Sequence, residues 1–217
     1  MEMAYPGAVI GILAMSPVQN TPPGADIIGK LHSLEREVRA RHAGRSRRDL
    51  EGQPALRPYV EHYRRFGKTY HVLLQLESVA FRDRSLATGS ALVNAMFAAE
   101  IESSLLTAGH DLEAVEPPLT ADVTRAGERY IGVGERPVEV KPGAMSIRDT
   151  RGILSTVLYG PDHRTRLRPE TRSVLFTTYA PSSISDSDLD RHLHQIESLV
   201  RVQTPLAHAK QLGIRRA

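Results

Sequence analysis

Between Gly143 and Thr178 the chain reads GAMSIRDTRGILSTVLYGPDHRTRLRPETRSVLFTT. Three apolar blocks stand in it: Met145 with Ile147, then Ile153 to Leu158, then Val174 to Phe176, each bounded by Gly, Pro, Asp or Thr. A strand needs alternate side chains on opposite faces and a turn residue where it reverses. This stretch therefore predicts consecutive strands joined by tight turns. Gly160 to Thr165 form a polar loop between two of the most hydrophobic segments, and that loop is the expected rim of any binding site.

The rest of the chain is arranged around this run. Ala8 to Met15 is a short apolar block that predicts a buried strand, ended by the proline-containing loop Ser16 to Gly24. Ile27, Ile28, Leu31, Leu34 and Val38 recur at helical spacing, so Asp26 to His42 is expected to be an amphipathic helix. A second helix is expected from Pro54 to Gly67, with the proline in its first turn and the glycine closing it in the left-handed conformation. A third runs from Leu73 to Arg84. A fourth starts after Gly89-Ser90 and runs to Gly109, beyond which the period changes from helical to alternating. Thr120 to Arg125, Arg129 to Val133 and Val138 to Val140 read as strands, and residues 186–202, preceded by Ser and Asp capping candidates, read as a terminal helix. Helices followed by a block of strands make an α+β layout rather than a βαβ alternation. The expected organisation is a single domain over residues 1–217, with an N-terminal strand–helix extension (1–50), a core (54–180) and a C-terminal helix (186–202).

A chain of 217 residues buries about 70% of its unfolded surface without metal or disulfide support. It has no cysteine, which excludes disulfides, thiolate metal sites and thiol catalysis. The longest apolar run is about half of what spans a bilayer, and no basic residue precedes it, so a cytoplasmic protein without a signal peptide or membrane contact is expected. Of 28 basic residues only Lys30, Lys68, Lys141 and Lys210 are lysines, and the formal charge is +3. Arginine suits bidentate phosphate contact, but codon usage favouring arginine gives the same composition.

No phosphate loop, dinucleotide fingerprint, zinc-protease or nucleophile-elbow motif is present, and the nine histidines form no metal-ligand pattern, so no metal or cofactor is expected. His192 and His194 point to different faces of one helix. His110 is expected in a loop after the helix-closing Gly109. Asp149 suits a turn. Asp162, His163 and Arg164 serve equally to bind a polar ligand or to solvate a hairpin. Arg45, Arg47 and Arg48 read either as a phosphate-touching arm or as a solvated linker.

The order GERYIGVGERPVEVKPGAMSIRD followed by VLYGPDHRTRLRPETRSVLF resembles the B3/B4 domain of the phenylalanyl-tRNA synthetase beta chain and its stand-alone relatives. Asp111 to Val115, Leu92-Val93-Asn94, Tyr63 with Phe66-Gly67, and Glu77 are similar to further segments of that family, so the resemblance spans roughly Leu56 to Tyr179. It implies an α+β B3/B4-like domain with a sheet-rich core flanked by helices. It also implies binding of the acceptor end of aminoacyl-tRNA, with hydrolysis of misacylated tRNA, a carboxylic ester, as the associated reaction and no ligase activity. Such hydrolysis needs a pocket, a positioned water and donors to the oxyanion, without an obligatory protein nucleophile.

Carried onto this chain, the resemblance makes Gly160, Asp162, His163, Thr177 and Asn94 the substrate-binding candidates. His110 and Asp162 become the catalytic candidates, and Arg45, Arg47, Arg48 and Arg164 the RNA contacts. Three polar motifs depart from the family: Thr177 stands where the family has a glutamate, Asn94 and Phe97 replace an aspartate and an asparagine, and the spacing from His110 to Asp111 is shorter. The alternatives are a non-catalytic binding module for an amino acid, a small metabolite or a protein, and an unrelated small-molecule enzyme on the same scaffold.

Overall fold

The computed structural model describes residues 1–217. Its elements in chain order are β1 (Glu2–Met3), β2 (Val9–Ser16), α1 (Ala25–His42), α2 (Arg47–Glu51), α3 (Arg57–Arg65), α4 (His71–Arg82), α5 (Ala91–Ser103), β3 (Leu106–Asp111), β4 (Thr120–Val123), β5 (Arg129–Ile131), β6 (Pro137–Glu139), β7 (Met145–Asp149), β8 (Gly152–Thr156), β9 (Gly160–Pro161), β10 (Val174–Ala180), α6 (Asp186–Gln203) and β11 (His208–Arg216). No helix is long and apolar enough to cross a membrane.

The strands form two main sheets. One has the order β1-β4-β7-β8-β9, the other β11-β2-β10-β3, and β5 and β6 make a separate hairpin. The second sheet is antiparallel throughout, so residues paired across it share a face. Ile10, Ile12, Ala14, Leu175, Thr177, Tyr179, Ala108 and His110 fall on one face, and His110 reaches Ser155 of β8 from it. Leu13, Met15, Val174 and Phe176 lie on the other, where they join Leu92, Met96, Leu193, Ile196 and Val200 of α5 and α6 in one apolar cluster. The sheet is thus covered on both sides, which is why β2 and β10 read as near-continuous apolar runs. α1 lies against α4, α5 and α6.

Several boundaries differ from the sequence expectations. The first 50 residues contribute β2 to the middle of the second sheet, between β10 and β11. The segment Arg45 to Arg48 is not a linker: Ser46 caps α2 through a reciprocal pair of hydrogen bonds with Asp49. α3 starts at Arg57 with Pro58 in its first turn, three residues later than Pro54 suggested, and Gly67 adopts the expected positive φ.

α5 ends at Ser103 rather than Gly109, because Ser104 takes the left-handed conformation (φ 65°) and turns the chain into β3. His110 is consequently a strand residue, not a loop residue. The chain closes on β11 rather than on α6.

Candidate functional site

His110 is wholly buried, and both ring nitrogens are occupied. Nδ1 lies 2.8 Å from the Thr165 hydroxyl, and that hydroxyl donates to the Asp162 carboxylate. A hydroxyl has one proton, so Thr165 must accept from His110 Nδ1–H. Nε2 is then the acceptor, taking the Ser155 proton at 3.1 Å, while Ser155 accepts from the Tyr179 hydroxyl at 2.7 Å. The result is one directional chain from Tyr179 through Ser155, His110 and Thr165 to Asp162. Burial, reinforced by Arg164, lowers the His110 pKa to about 4, so the ring is neutral in this chain at pH 7.

The neighbouring charges serve the same frame. Arg164 donates to both oxygens of Asp149 (3.0 and 2.9 Å) and to the Ala114 carbonyl. Asp149 also accepts from the Glu116, Arg151 and Gly152 amides, and its pKa is lowered despite its burial. Arg168 and Thr171 anchor Asp111. The Thr177 hydroxyl faces the same interior and has no partner. Asn94 lies elsewhere, holding the loop before α5 through bonds to the Thr88 amide, hydroxyl and carbonyl. Arg47 pairs with Glu51 and Glu77, whereas Arg45 and Arg48 are exposed with no acidic partner.

An open cleft lies immediately beside this frame, at the edge of β3. β3 has a strand neighbour on one side only. Alternate residues bond to β10, and the others point outward: the Asp111 amide reaches the Thr165 carbonyl, and the Thr107 amide reaches Glu100. Gly109, between them, presents its N–H and C=O to the cleft.

The cleft measures about 430 Å³. Its walls are Val93, Met96, Phe97 and Glu100 of α5, the β3 edge from Leu106 to Gly109, Tyr159 to Pro161, and Arg166 with Leu167. Two glycines shape it. A Cβ on Gly109 would stand 2.9 Å from the Leu167 side chain, and Gly160 has φ +77°, a conformation that side chains resist. Val133, 51% exposed on the β5–β6 hairpin, also lines it.

Glu100 is the feature of this cleft that the sequence did not flag. It is 2% exposed, one oxygen accepts from the Thr107 amide at 2.8 Å, and the other has no partner in the protein. Burial raises its pKa to about 8, only partly countered by that hydrogen bond. The signal available in the sequence was a lone acid in the apolar run Ala91 to Ile101.

Of the residues singled out in the sequence, Gly160 lines the cleft, and His110 and Asp162 are joined behind it. His163 is half-buried and bonds Arg166 on the cleft wall. A second concavity of about 290 Å³, between α3 and the loops holding Pro6 and Pro181, contains none of the candidates. No group of three His, Asp or Glu residues is placed to hold a metal ion.

No family model matches the chain, and no curated protein matches it. Among solved structures it is similar to an N-terminal fragment of the phenylalanyl-tRNA synthetase beta subunit from Pyrococcus horikoshii, at 9% identity and a TM-score of 0.44. The match covers 94% of this chain and 50% of that one, so the chain spans about half the length of that fragment.

Proposed function

We propose that this chain is an aminoacyl-recognition module that takes the charged acceptor end of tRNA. The aminoacyl group sits in the cleft beside β3, and exposed arginines meet the RNA backbone. The observation that carries this reading is the cleft itself: an unpaired strand edge at Gly109 faces an apolar floor of Val93, Met96 and Phe97 in a volume suited to one amino acid. The strand edge offers an N–H and a C=O to the polar backbone of a ligand, and the floor accepts its side chain. The order of motifs from Leu56 to Tyr179 supports the same reading. Arg166 on the cleft wall and exposed Arg45 and Arg48 are available to phosphate, whereas Arg164 and Arg47 are committed to carboxylates.

The geometry favours recognition over hydrolysis. A general base must reach the proton it abstracts, and His110 is sealed with both nitrogens bonded. Asp162 is engaged by Thr165.

A gel shift comparing charged with uncharged tRNA over a salt series tests this function. Tighter binding of the charged form is expected, with affinity falling steeply as salt rises. The ester is expected to be lost at the buffer rate in the same mixtures. Equal affinity for both tRNAs, or no binding at low salt, contradicts the reading; accelerated ester loss contradicts its non-hydrolytic form.

A further inference from the structure

Glu100 costs this fold a buried acid and returns no ion pair: its only partner is the Thr107 amide, and no basic side chain contributes to its titration. Buried carboxyls are normally paired, and one left open at the wall of a cleft has a vacant acceptor directed at whatever enters. Building on the reading of the cleft given above, we propose that Glu100 is the specificity-determining residue that recognises a free primary amine on the ligand. The ligand class is thereby restricted to amino acids and aminoacyl groups with an unblocked α-amino group.

The placement fits that role. Glu100 and Gly109 line the same cleft, with Met96 and Phe97 one turn before Glu100 on α5. An amine held at Glu100 leaves the ligand's side chain over the apolar floor and its carbonyl toward the strand edge. Thr107 is held from behind, since its hydroxyl lies 2.7 Å from His192 Nε2 and 2.9 Å from the Thr178 hydroxyl, so the amide that orients Glu100 is fixed. The other titratable or charged groups around the site are the buried Tyr59, Tyr63 and Tyr70, all within the field of Glu100; His71, Tyr159 and Arg166 on the cleft wall; and His192, which burial keeps neutral.

The proton balance is explicit. At pH 6.5 Glu100 is held in the carboxylic acid form, while an α-amino group, with a usual pKa of about 7.7–8.0, is an ammonium. Forming the carboxylate–ammonium pair breaks the Glu100 O–H bond and releases one proton to the buffer. A neutral glutamine in the same place releases none.

Calorimetric titration of the full chain at pH 6.5 with leucinamide and phenylalaninamide, each beside its N-acetyl derivative, tests the proposal. Buffers of differing ionisation enthalpy count the protons. The free amides are expected to bind at least tenfold more tightly than the acetylated ones, with release of about one proton. Glu100→Gln is expected to abolish both the discrimination and the release while melting at or above the temperature of the parent chain. Equal binding of free and acetylated amides, or unchanged affinity and proton count in the variant, overturns the role of Glu100 and leaves the cleft reading standing. Failure of all four probes to bind overturns both.

Discussion

Three buried polar residues meet their surroundings differently. His110 is neutral because burial opposes its charge, and its hydrogen bonds at both nitrogens tie β3 to Thr165 and Ser155. Thr177 stands where the resemblance led us to expect an acid, and its hydroxyl is unpartnered among apolar neighbours. Glu100 is the acid that is present, one strand edge away, and it destabilises the chain. Burial raises its folded pKa from the ordinary 4.5 to about 8, so the native state binds a proton that the unfolded state has released across that interval. The stability linked to this proton is fully present below pH 4.5 and is lost as pH rises toward 8, by up to ~1.4 kcal/mol per pH unit. Glu100→Gln is therefore expected to increase stability relative to the parent chain by a margin that grows from pH 5 to pH 8, reaching a few kcal/mol, as read from urea unfolding midpoints. A margin independent of pH would show that Glu100 titrates normally and is solvated.

At the scale of elements, the helices and the strands with one buried face were readable because their apolar residues are periodic. α1, α4 and α6 begin and end within two residues of the expected positions. What escaped was decided by tertiary pairing. β3 was absorbed into the helix before it because Leu105, Leu106 and Ala108 continue an apolar run, and only the left-handed Ser104 breaks it. β11 was missed because His208 to Arg216 is exposed at most positions and carries Lys210, Arg215 and Arg216, a composition typical of a protected sheet edge. Its stability comes from pairing with β2 along Val9 to Ser16 and from packing of Leu212 and Ile214. Truncation after Thr204 would strip β2 of one neighbour, and is expected to lower the melting temperature by about 10 °C, corresponding to roughly 3 kcal/mol in a chain of this size. An unchanged melting temperature would mean that β11 is not part of the folded sheet.

At the scale of the whole molecule, the α+β class was legible, and so was the turn at Gly160, because turn chemistry and alternation are local properties. The site was only partly legible. A cleft is made by residues distant in sequence, and here its walls come from α5, from the open edge of β3 and from the segment around Gly160 and Arg166. The candidates nearest in sequence to one another, Gly160, Asp162, His163 and Arg164, split between the cleft wall, the frame behind it and an ion pair with Asp149. Cleft and support are thus layered: a buried hydrogen-bond chain through His110 joins β3 to β8 and to the segment after Gly160, and the free edge of β3 faces the cleft. Amide chemical-shift mapping, with a short acceptor stem bearing a non-hydrolysable 3′-aminoacylamide as ligand, tests this arrangement most directly. The largest perturbations are expected at Glu100, Thr107, Gly109, Tyr159 and Gly160, with smaller ones at Arg45 and Arg48. Saturable binding that leaves the amides of the β3 edge unmoved would contradict it.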